Sequence, residues 1–167
     1  MASSTNPTRH RNDPDVVRRL LATPGRWAVV GLSANPRRVA YGIASYLQGL
    51  GMIIVPVHPK ADTVHGEQGY PTLADVPGTP DVVDVFRKPS DLPEVLDETL
   101  AAGARTLWLQ LGLWDEDVAG RAQDAGLEVV MDRCLKIEHA RFAGGLHWAG
   151  FDTGVISSRR HRGLPTA

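Results

Sequence analysis

The chain has 167 residues, of which 43% are hydrophobic, and this suits one domain with a buried core. Its formal net charge of −1 gives no general reason to expect nucleic acid as a partner, and its single cysteine excludes an intramolecular disulfide and a multi-cysteine metal site. The N-terminus has no signal-peptide core, and no run approaches the roughly 20 apolar residues that cross a bilayer, so we expect a cytoplasmic protein without a membrane partner.

The N-terminal half begins with a polar segment and continues as strand, helix and strand. We expect a disordered tail over residues 1–12 and a helix from Asp13, where a proline and acids stand in the first turn. The apolar run Trp27–Val30 then breaks at Gly31, and after a loop and an amphipathic segment comes a second apolar run, Met52–Val57. This order predicts a βαβ unit.

The rest of the sequence continues the alternation of strand and helix. After a loop rich in glycine and proline, the predicted strands are Val82–Phe86, Thr106–Leu111 and Leu127–Met131, and the predicted helices are Ser90–Ala102 and Asp115–Ala125. Because the strands are continuous apolar runs, we predict an α/β fold of Rossmann-like type, a doubly wound, mainly parallel sheet of about five strands with helices on both faces. Residues 13–142 would form this domain, and residues 143–167 a Gly/Arg-rich C-terminal extension that packs in part.

A phosphate-binding loop is predicted between the first strand and the following helix. Ser33 and Asn35 have short polar side chains that cap a helix or donate to a phosphate, and Pro36 suits the first helical turn. Free N–H groups at the helix start then point at an anion, with arginines alongside. The alternative is a turn that only caps a helix, and the absent G-x-G-x-x-G pattern disfavours NAD or FAD. The loop comprises Gly31, Leu32, Ser33, Ala34, Asn35, Pro36, Arg37 and Arg38.

Three other strand ends carry candidate ligand contacts. NAD-binding proteins of this type place Asp or Glu at the end of the second strand, and the lysine found here indicates an additional phosphate. At the third and fourth strand ends, apolar side chains near a basic pair suit an adenine ring and a phosphate. Parallel strands bring their carboxyl ends to one edge of the sheet, so these residues are predicted to meet there. They are His58, Pro59, Lys60, Val85, Phe86, Arg87, Lys88, Leu109, Gln110 and Leu111.

The chain resembles the CoA-binding domain proteins of the small bacterial YccU-like type, which are similar to the N-terminal CoA-binding domain of the succinyl-CoA synthetase alpha subunit. The resemblance rests on the motifs VGLSANPRR, YLQGLGMIIVPVHPK, FRKP, LWLQLGLW and VVMDRCLKIEHARF. It implies a Rossmann-like fold and coenzyme A as the ligand, with its phosphates at residues 33–38, its 3′-phosphate end at Lys60, and adenine near residues 85–87 and 109–111. The synthetase domain that holds the phosphorylated histidine has no match, so ligase activity is not implied.

The preferred prediction is a stand-alone module that binds CoA or an acyl-CoA, with no catalytic or metal-binding residue assigned. The alternative is an NADP-dependent oxidoreductase, because the basic second-strand end also suits a 2′-phosphate, although no acid/base pair or substrate domain is evident. A third hypothesis is a mixed disulfide between Cys134 and the CoA thiol. The expected partner is a small molecule, and the sequence leaves open whether the chain forms a homo-oligomer.

Overall fold

The computed structural model describes residues 9–143, which form a parallel sheet with helices on both faces. The strands lie in the order β2-β1-β3-β4-β5. The chain therefore adds β2 on one side of β1 and the later strands on the other side, beginning with β3. The strands are β1 (Arg26–Val30), β2 (Ile53–Val57), β3 (Val82–Val85), β4 (Thr106–Leu109) and β5 (Glu128–Val130). The helices are α1 (Pro14–Ala22), α2 (Val39–Gly49), α3 (Leu92–Ala101), α4 (Glu116–Asp124) and α5 (Leu135–Ala143), and short 3-10 turns occur at Leu73–Asp75 and Pro89–Asp91.

Each strand supplies side chains to two separate cores, which explains why the strands are continuous apolar runs. In β1, Ala28 and Val30 pack with α3 and α4, whereas Trp27 and Val29 pack with α1, α2 and α5. Fully burying an aliphatic or aromatic side chain stabilises a protein by roughly 1.5–3 kcal/mol, so both layers contribute strongly. The predicted α/β fold is confirmed.

Helix α5 follows β5, where the sequence pattern predicts no element. Its Leu135 is buried, and so is the Glu138 carboxylate, which lies 3.7 Å from Arg133 Nε and 3.6 Å from Arg141 Nη1. Burial raises the pKa of Glu138, and the two arginines oppose that rise. A helix that turns a carboxylate inward lacks a clear apolar stripe, and this is why periodicity did not reveal it.

Residues 9–12, which the sequence pattern places in a disordered tail, lie against the domain. The Asn12 amide donates to Met131 O over 2.7 Å and accepts from Met131 N over 2.8 Å, and the His10 backbone N–H donates to Glu116 Oε2 over 2.9 Å. Residues 1–8 of the predicted tail, and 144–167 of the predicted extension, lie outside the described residues. Among residues 9–143, no helix combines the length and apolar character needed to span a bilayer.

Candidate functional site

The carboxyl ends of β2, β1 and β3 are joined by hydrogen bonds at the point where the strand order reverses. Gly31 N–H donates to Val57 O and Phe86 N–H donates to Val30 O, each over 2.8 Å. Gly31 has φ +97°, and a Cβ at this residue would lie 2.3 Å from Phe86 O. Only glycine therefore fits there, and the loops that follow the three strands converge at this edge, where open α/β sheets bind ligands.

The β1–α2 loop differs from the prediction at Pro36. Helix α2 begins at Val39, so Pro36 precedes the helix and lies at the second position of a β-turn closed by Arg38 N–H and Asn35 O at 3.1 Å. The Asn35 side chain fixes this turn, since its Oδ1 accepts from Arg37 N–H over 3.0 Å. The predicted phosphate loop is consequently longer and more exposed than a helix start at Pro36 would make it.

The N-terminus of α2 carries no compensating negative charge from its own first turn. Helices α1, α3, α4 and α5 each have an acidic residue in the first turn, whereas α2 has none. Its capping residue, Arg38, makes no side-chain hydrogen bond to the helix, and Val39 is 71% exposed. The positive end of this helix dipole is thus open to an anion from solvent.

The end of β2 forms a second turn that displays Lys60. His58 O accepts from Ala61 N–H over 2.7 Å, which places Pro59 at the second position of the turn. His58 Nδ1 lies 3.1 Å from Lys60 N, and because a backbone N–H only donates, the neutral ring carries its proton on Nε2. His58 therefore shapes the turn, and Lys60 is exposed.

A hairpin inside the long loop after β2 brings a carboxylate to the predicted phosphate loop. Val64 and Glu67 exchange two backbone hydrogen bonds of 2.9 Å, and His65 at the tip donates from Nε2 to Tyr41 O over 2.8 Å. This packing against α2 places Asp62 Oδ2 at 3.4 Å from Ala34 N. Sequence reasoning missed Asp62, because the tip residues that position it form no motif.

The basic pair after β3 divides into one paired and one unpaired side chain. Arg87 Nε lies 3.2 Å from Asp91 Oδ2, whereas Lys88 is exposed. Within residues 9–143, four predicted site cations have no side-chain hydrogen bond, ion pair or aromatic contact, and we call them the open cations. They are Arg37, Arg38, Lys60 and Lys88.

The predicted apolar contacts differ in how much surface they expose. The side chains of Leu32, Val85 and Leu109 are fully enclosed, so they contribute packing and no ligand-facing surface. Phe86 is half-buried, and Leu111 is 43% exposed. Among the predicted apolar contacts, Phe86 and Leu111 therefore supply the exposed surface.

Gln110 is held by a buried carboxyl group that sequence reasoning did not select. Its Nε2 lies 2.6 Å from Asp84 Oδ1, and Asp84 is fully buried in β3. Burial raises the pKa of the Asp84 carboxyl to about 8, while hydrogen bonds from Gln110 and the Val85 backbone oppose the rise. The sequence does contain a signal for this carboxyl group, since Asp84 is the one acid in the otherwise apolar run VVDVF.

Cys134 is half-buried and immediately precedes α5. His139, which follows Cys134 in α5, has its Nδ1 at 2.6 Å from the Tyr46 hydroxyl, and the Glu138 carboxylate lies between two arginines. Both groups are thus engaged in contacts of their own. No group of three or more His, Cys, Asp or Glu side chains among the described residues is placed to hold a metal ion.

Two surface cavities lie away from the carboxyl edge. One of about 500 Å³ is bordered by α1 and α5, and one of about 630 Å³ lies at the amino ends of the strands. Neither is lined by a predicted site residue. The candidate site is formed by the loops at the carboxyl edge, apart from both of these cavities.

Comparison with known proteins gives matches over most of the chain. A family model described as a CoA binding domain matches residues 25–140. The uncharacterized protein YneT of Bacillus subtilis (strain 168) is 36% identical over 124 residues, which are 74% of this chain and 92% of YneT. The solved structure of a hypothetical protein from Pyrococcus horikoshii OT3 is 32% identical with a TM-score of 0.75, covering 86% of this chain and all of that one.

A larger protein shares the same fold over part of its length. It is the dinucleotide forming acetyl-coenzyme A synthetase 1 of Ca. Korarchaeum cryptofilum, solved in complex with phosphate and ADP. The identity is 26% and the TM-score 0.62, over 70% of this chain and 27% of that chain. The chain thus corresponds to about a quarter of that synthetase.

Proposed function

Since the chain belongs to the family of CoA-binding domains, we propose that it binds coenzyme A or an acyl-CoA at the carboxyl edge of its sheet. The observation that carries this proposal is the set of open cations, which follow the ends of three adjacent strands. Exposed like charges without partners repel one another, and phosphate groups remove that cost on binding. CoA supplies a diphosphate and a separate 3′-phosphate, which suits cations distributed over several loops.

The parts of the ligand are assigned by the chemistry of each loop. The diphosphate lies at the open N-terminus of α2 beside Arg37 and Arg38, and the 3′-phosphate lies at Lys60. The adenine ring contacts the exposed apolar surface of Phe86 and Leu111. Arg87 contributes less than Lys88 to phosphate binding, because its guanidinium already pairs with Asp91.

We propose further that the chain acts as a binding module without ligase chemistry. The solved synthetase matches this chain over 27% of its own length, and Glu138 and His139, which follow Cys134, are engaged in ion pairs and a hydrogen bond. These contacts support a structural role for the segment around Cys134.

Isothermal calorimetry with CoA, dephospho-CoA and NADP tests the proposal. We expect heat with CoA, and about tenfold weaker binding of dephospho-CoA, which lacks the 3′-phosphate; tenfold corresponds to about 1.4 kcal/mol. Lys60→Ala should weaken CoA by a similar factor and leave dephospho-CoA almost unchanged. Arg105→Ala, an exposed cation at the opposite edge, serves as the matched control and should bind like the unaltered protein.

Three outcomes would contradict parts of this assignment. Absence of binding to CoA would overturn the proposed function. Equal affinity for CoA and dephospho-CoA would remove the role given to Lys60. Tighter binding of NADP than of CoA would favour the oxidoreductase alternative.

A further inference from the structure

The Asp84–Gln110 pair contains a buried polar atom without a partner. Asp84 is flanked in register by Val29 on β1 and Trp108 on β4, and its Oδ2 is fully buried with no hydrogen bond. Buried polar atoms are nearly always paired, and an unpaired carboxylate oxygen is costlier than an unpaired neutral one. A sequence that keeps an acid at this position accepts a loss of stability that an aliphatic residue would avoid.

The pair lies next in sequence to the proposed adenine contacts. Asp84 precedes Phe86 by two residues, and Gln110 stands between the end of β4 and exposed Leu111. The Phe86 N–H bonds to Val30 O, so this part of the edge adjoins the β1–α2 loop. Gln110 is 6% exposed, and of the two side chains in the pair its amide is the one next in sequence to these contacts.

The protonation of Asp84 determines which end of the Gln110 amide faces outward. An ionised carboxylate only accepts, so it holds the amide NH₂ inward and leaves Oε1 outward. A neutral carboxyl donates its O–H to the amide oxygen when the amide turns over, and the NH₂ group then faces outward. The separation of 2.6 Å suits an O–H···O bond as well as a charge-assisted N–H···O bond.

We propose that Asp84 and Gln110 form a proton-linked selector for the base of the bound nucleotide, so that ionised Asp84 favours a donor on the base and neutral Asp84 an acceptor. This inference rests on the proposed function. Adenine presents a 6-amino donor, and hypoxanthine presents a 6-oxo acceptor at the same position. The selector therefore couples the ionisation of Asp84 to the choice between these two bases.

Both states of the pair are accessible near neutral pH, because burial raises the pKa of Asp84 to about 8. The strands beside it contribute no charge, since Val29 and Trp108 are its neighbours in register. Helices α1, α2 and α5 cover this face of the sheet, and the Glu138 charge on α5 is offset by flanking arginines. The charged residues of α1 are exposed. The buried or half-buried titratable and charged groups on or beside α2 and α5 are Tyr41, Tyr46, His65, Asp132, Arg133, Cys134, Glu138, His139 and Arg141.

The affinities of CoA and of its 6-deaminated analogue, which carries hypoxanthine, test the selector between pH 6 and pH 8. Both ligands share the same phosphates, so phosphate titration cancels in the ratio of their dissociation constants. We expect the preference for CoA to rise at least tenfold over this range, because the ionised fraction of Asp84 rises. At pH 7, CoA should release close to one proton on binding and the analogue almost none, as measured by calorimetry in buffers of different ionisation enthalpy.

Two variants and one measurement without ligand complete the test. Asp84→Asn should remove the pH dependence of the ratio, whereas Asp124→Asn, which removes an exposed acid at the end of α4, should retain it. In the unaltered protein, the side-chain amide NMR signals of Gln110 should shift together with the Asp84 carboxyl carbon as pH changes. This NMR readout does not depend on whether either variant folds.

The outcomes separate this inference from the proposed function. If CoA binds and the ratio stays constant with pH, the selector is overturned and the proposed function stands. If neither ligand binds, the proposed function fails. Gln110 signals that remain unchanged while Asp84 titrates would overturn the coupling itself.

Discussion

The two edges of the sheet differ in how many of their charged side chains are paired. At the amino edge, Arg19 Nη2 lies 2.5 Å from Glu128 Oε1, Thr106 donates to Glu128 Oε2 over 2.9 Å, and Asp81 Oδ2 accepts from Arg26 N over 2.9 Å. At the carboxyl edge, the open cations have no such partners within the described residues. Oppositely charged side chains that pair with one another add to the stability of the fold. Unpaired cations close to one another lower that stability by repulsion, and an anionic ligand removes the repulsion.

The same comparison shows why the shape of the surface does not locate the site. The amino edge holds a cavity of about 630 Å³, a size common for ligand sites, yet the Arg19–Glu128 pair lies on its wall. The carboxyl edge instead offers a helix N-terminus without a side-chain cap and four unpaired cations among the described residues. We therefore assign the candidate site to this edge from electrostatics and backbone geometry and not from concavity.

The largest effect should follow from adding a methyl group to the carboxyl edge. Gly31→Ala places a Cβ 2.3 Å from Phe86 O in a backbone with φ +97°, so we expect a loss of more than about 4 kcal/mol of unfolding free energy, measured by urea denaturation. Gly126→Ala at the amino edge has φ +87° and nothing within 4 Å of the added Cβ, and its loss should be about 1 kcal/mol. Similar losses at both glycines would break the comparison.

The next effect concerns the dependence of stability on pH. Asp84 loses its proton near pH 4 when the chain is unfolded and near pH 8 when folded, so the folded state binds more protons between these values. The unfolding free energy should therefore fall as pH rises from about 5 to 8, by about 1.4 kcal/mol per unit from this group. Asp84→Asn should flatten the fall, whereas Asp81→Asn at the amino edge should leave it in place. An unchanged slope in Asp84→Asn would show that another group causes it.

The open arginines should matter for binding and not for stability. Removing both with Arg37→Ala and Arg38→Ala should weaken CoA about 100-fold, or about 2.7 kcal/mol, at unchanged urea midpoint. Arg19→Ala should do the reverse, with unchanged affinity and a loss of up to about 1 kcal/mol of stability, because its partner is half exposed. Calorimetry and denaturation on the same samples decide between the two roles.

The smallest effect should come from the acid at the carboxyl edge. Asp62 Oδ2 lies 3.4 Å from Ala34 N, so its negative charge opposes a phosphate at the same loop. Asp62→Asn should tighten CoA binding about threefold, or about 0.7 kcal/mol, and the gain should shrink at high salt. Weaker binding would mean that Asp62 holds the β1–α2 loop in the shape that CoA binds. The charge of the carboxyl edge would then not explain the effect of Asp62.

Apolar periodicity located the strands well because the sheet is buried on both faces. Each predicted strand end lies within two residues of the observed one, and the start of α1 is marked by Asp13, which caps it. The start of α2 was misplaced because the Asn35 side chain fixes a turn that keeps Pro36 outside the helix. Helix α5 was missed because its inward side is held by ion pairs.

The sequence predicts which strand ends lie at the candidate site, but it does not predict which side chains there pair with one another. Topology alone brings the ends of β1, β2 and β3 together, so Arg38 and Lys60 could be placed at one edge from the sequence. Which side chains pair with one another depends instead on the register of the strands and on the path of the loops. Gln110 bonds to Asp84, which is 26 residues away in the chain. Arg87 pairs with Asp91, whereas Lys88 does not. The order of residues in the sequence indicates neither pairing.

At each outer strand of the sheet, another part of the chain hydrogen-bonds to backbone groups that face away from the neighbouring strand. Just past β5, the Asn12 amide engages both the N–H and the C=O of Met131, as a neighbouring strand would at that residue. Along β2, Pro56 has no N–H to offer and its carbonyl is taken by Tyr70 N at 2.9 Å. Covered backbone groups of this kind disfavour pairing with a strand of another chain, so a chain shortened past Asn12 should expose the Met131 backbone and aggregate more readily.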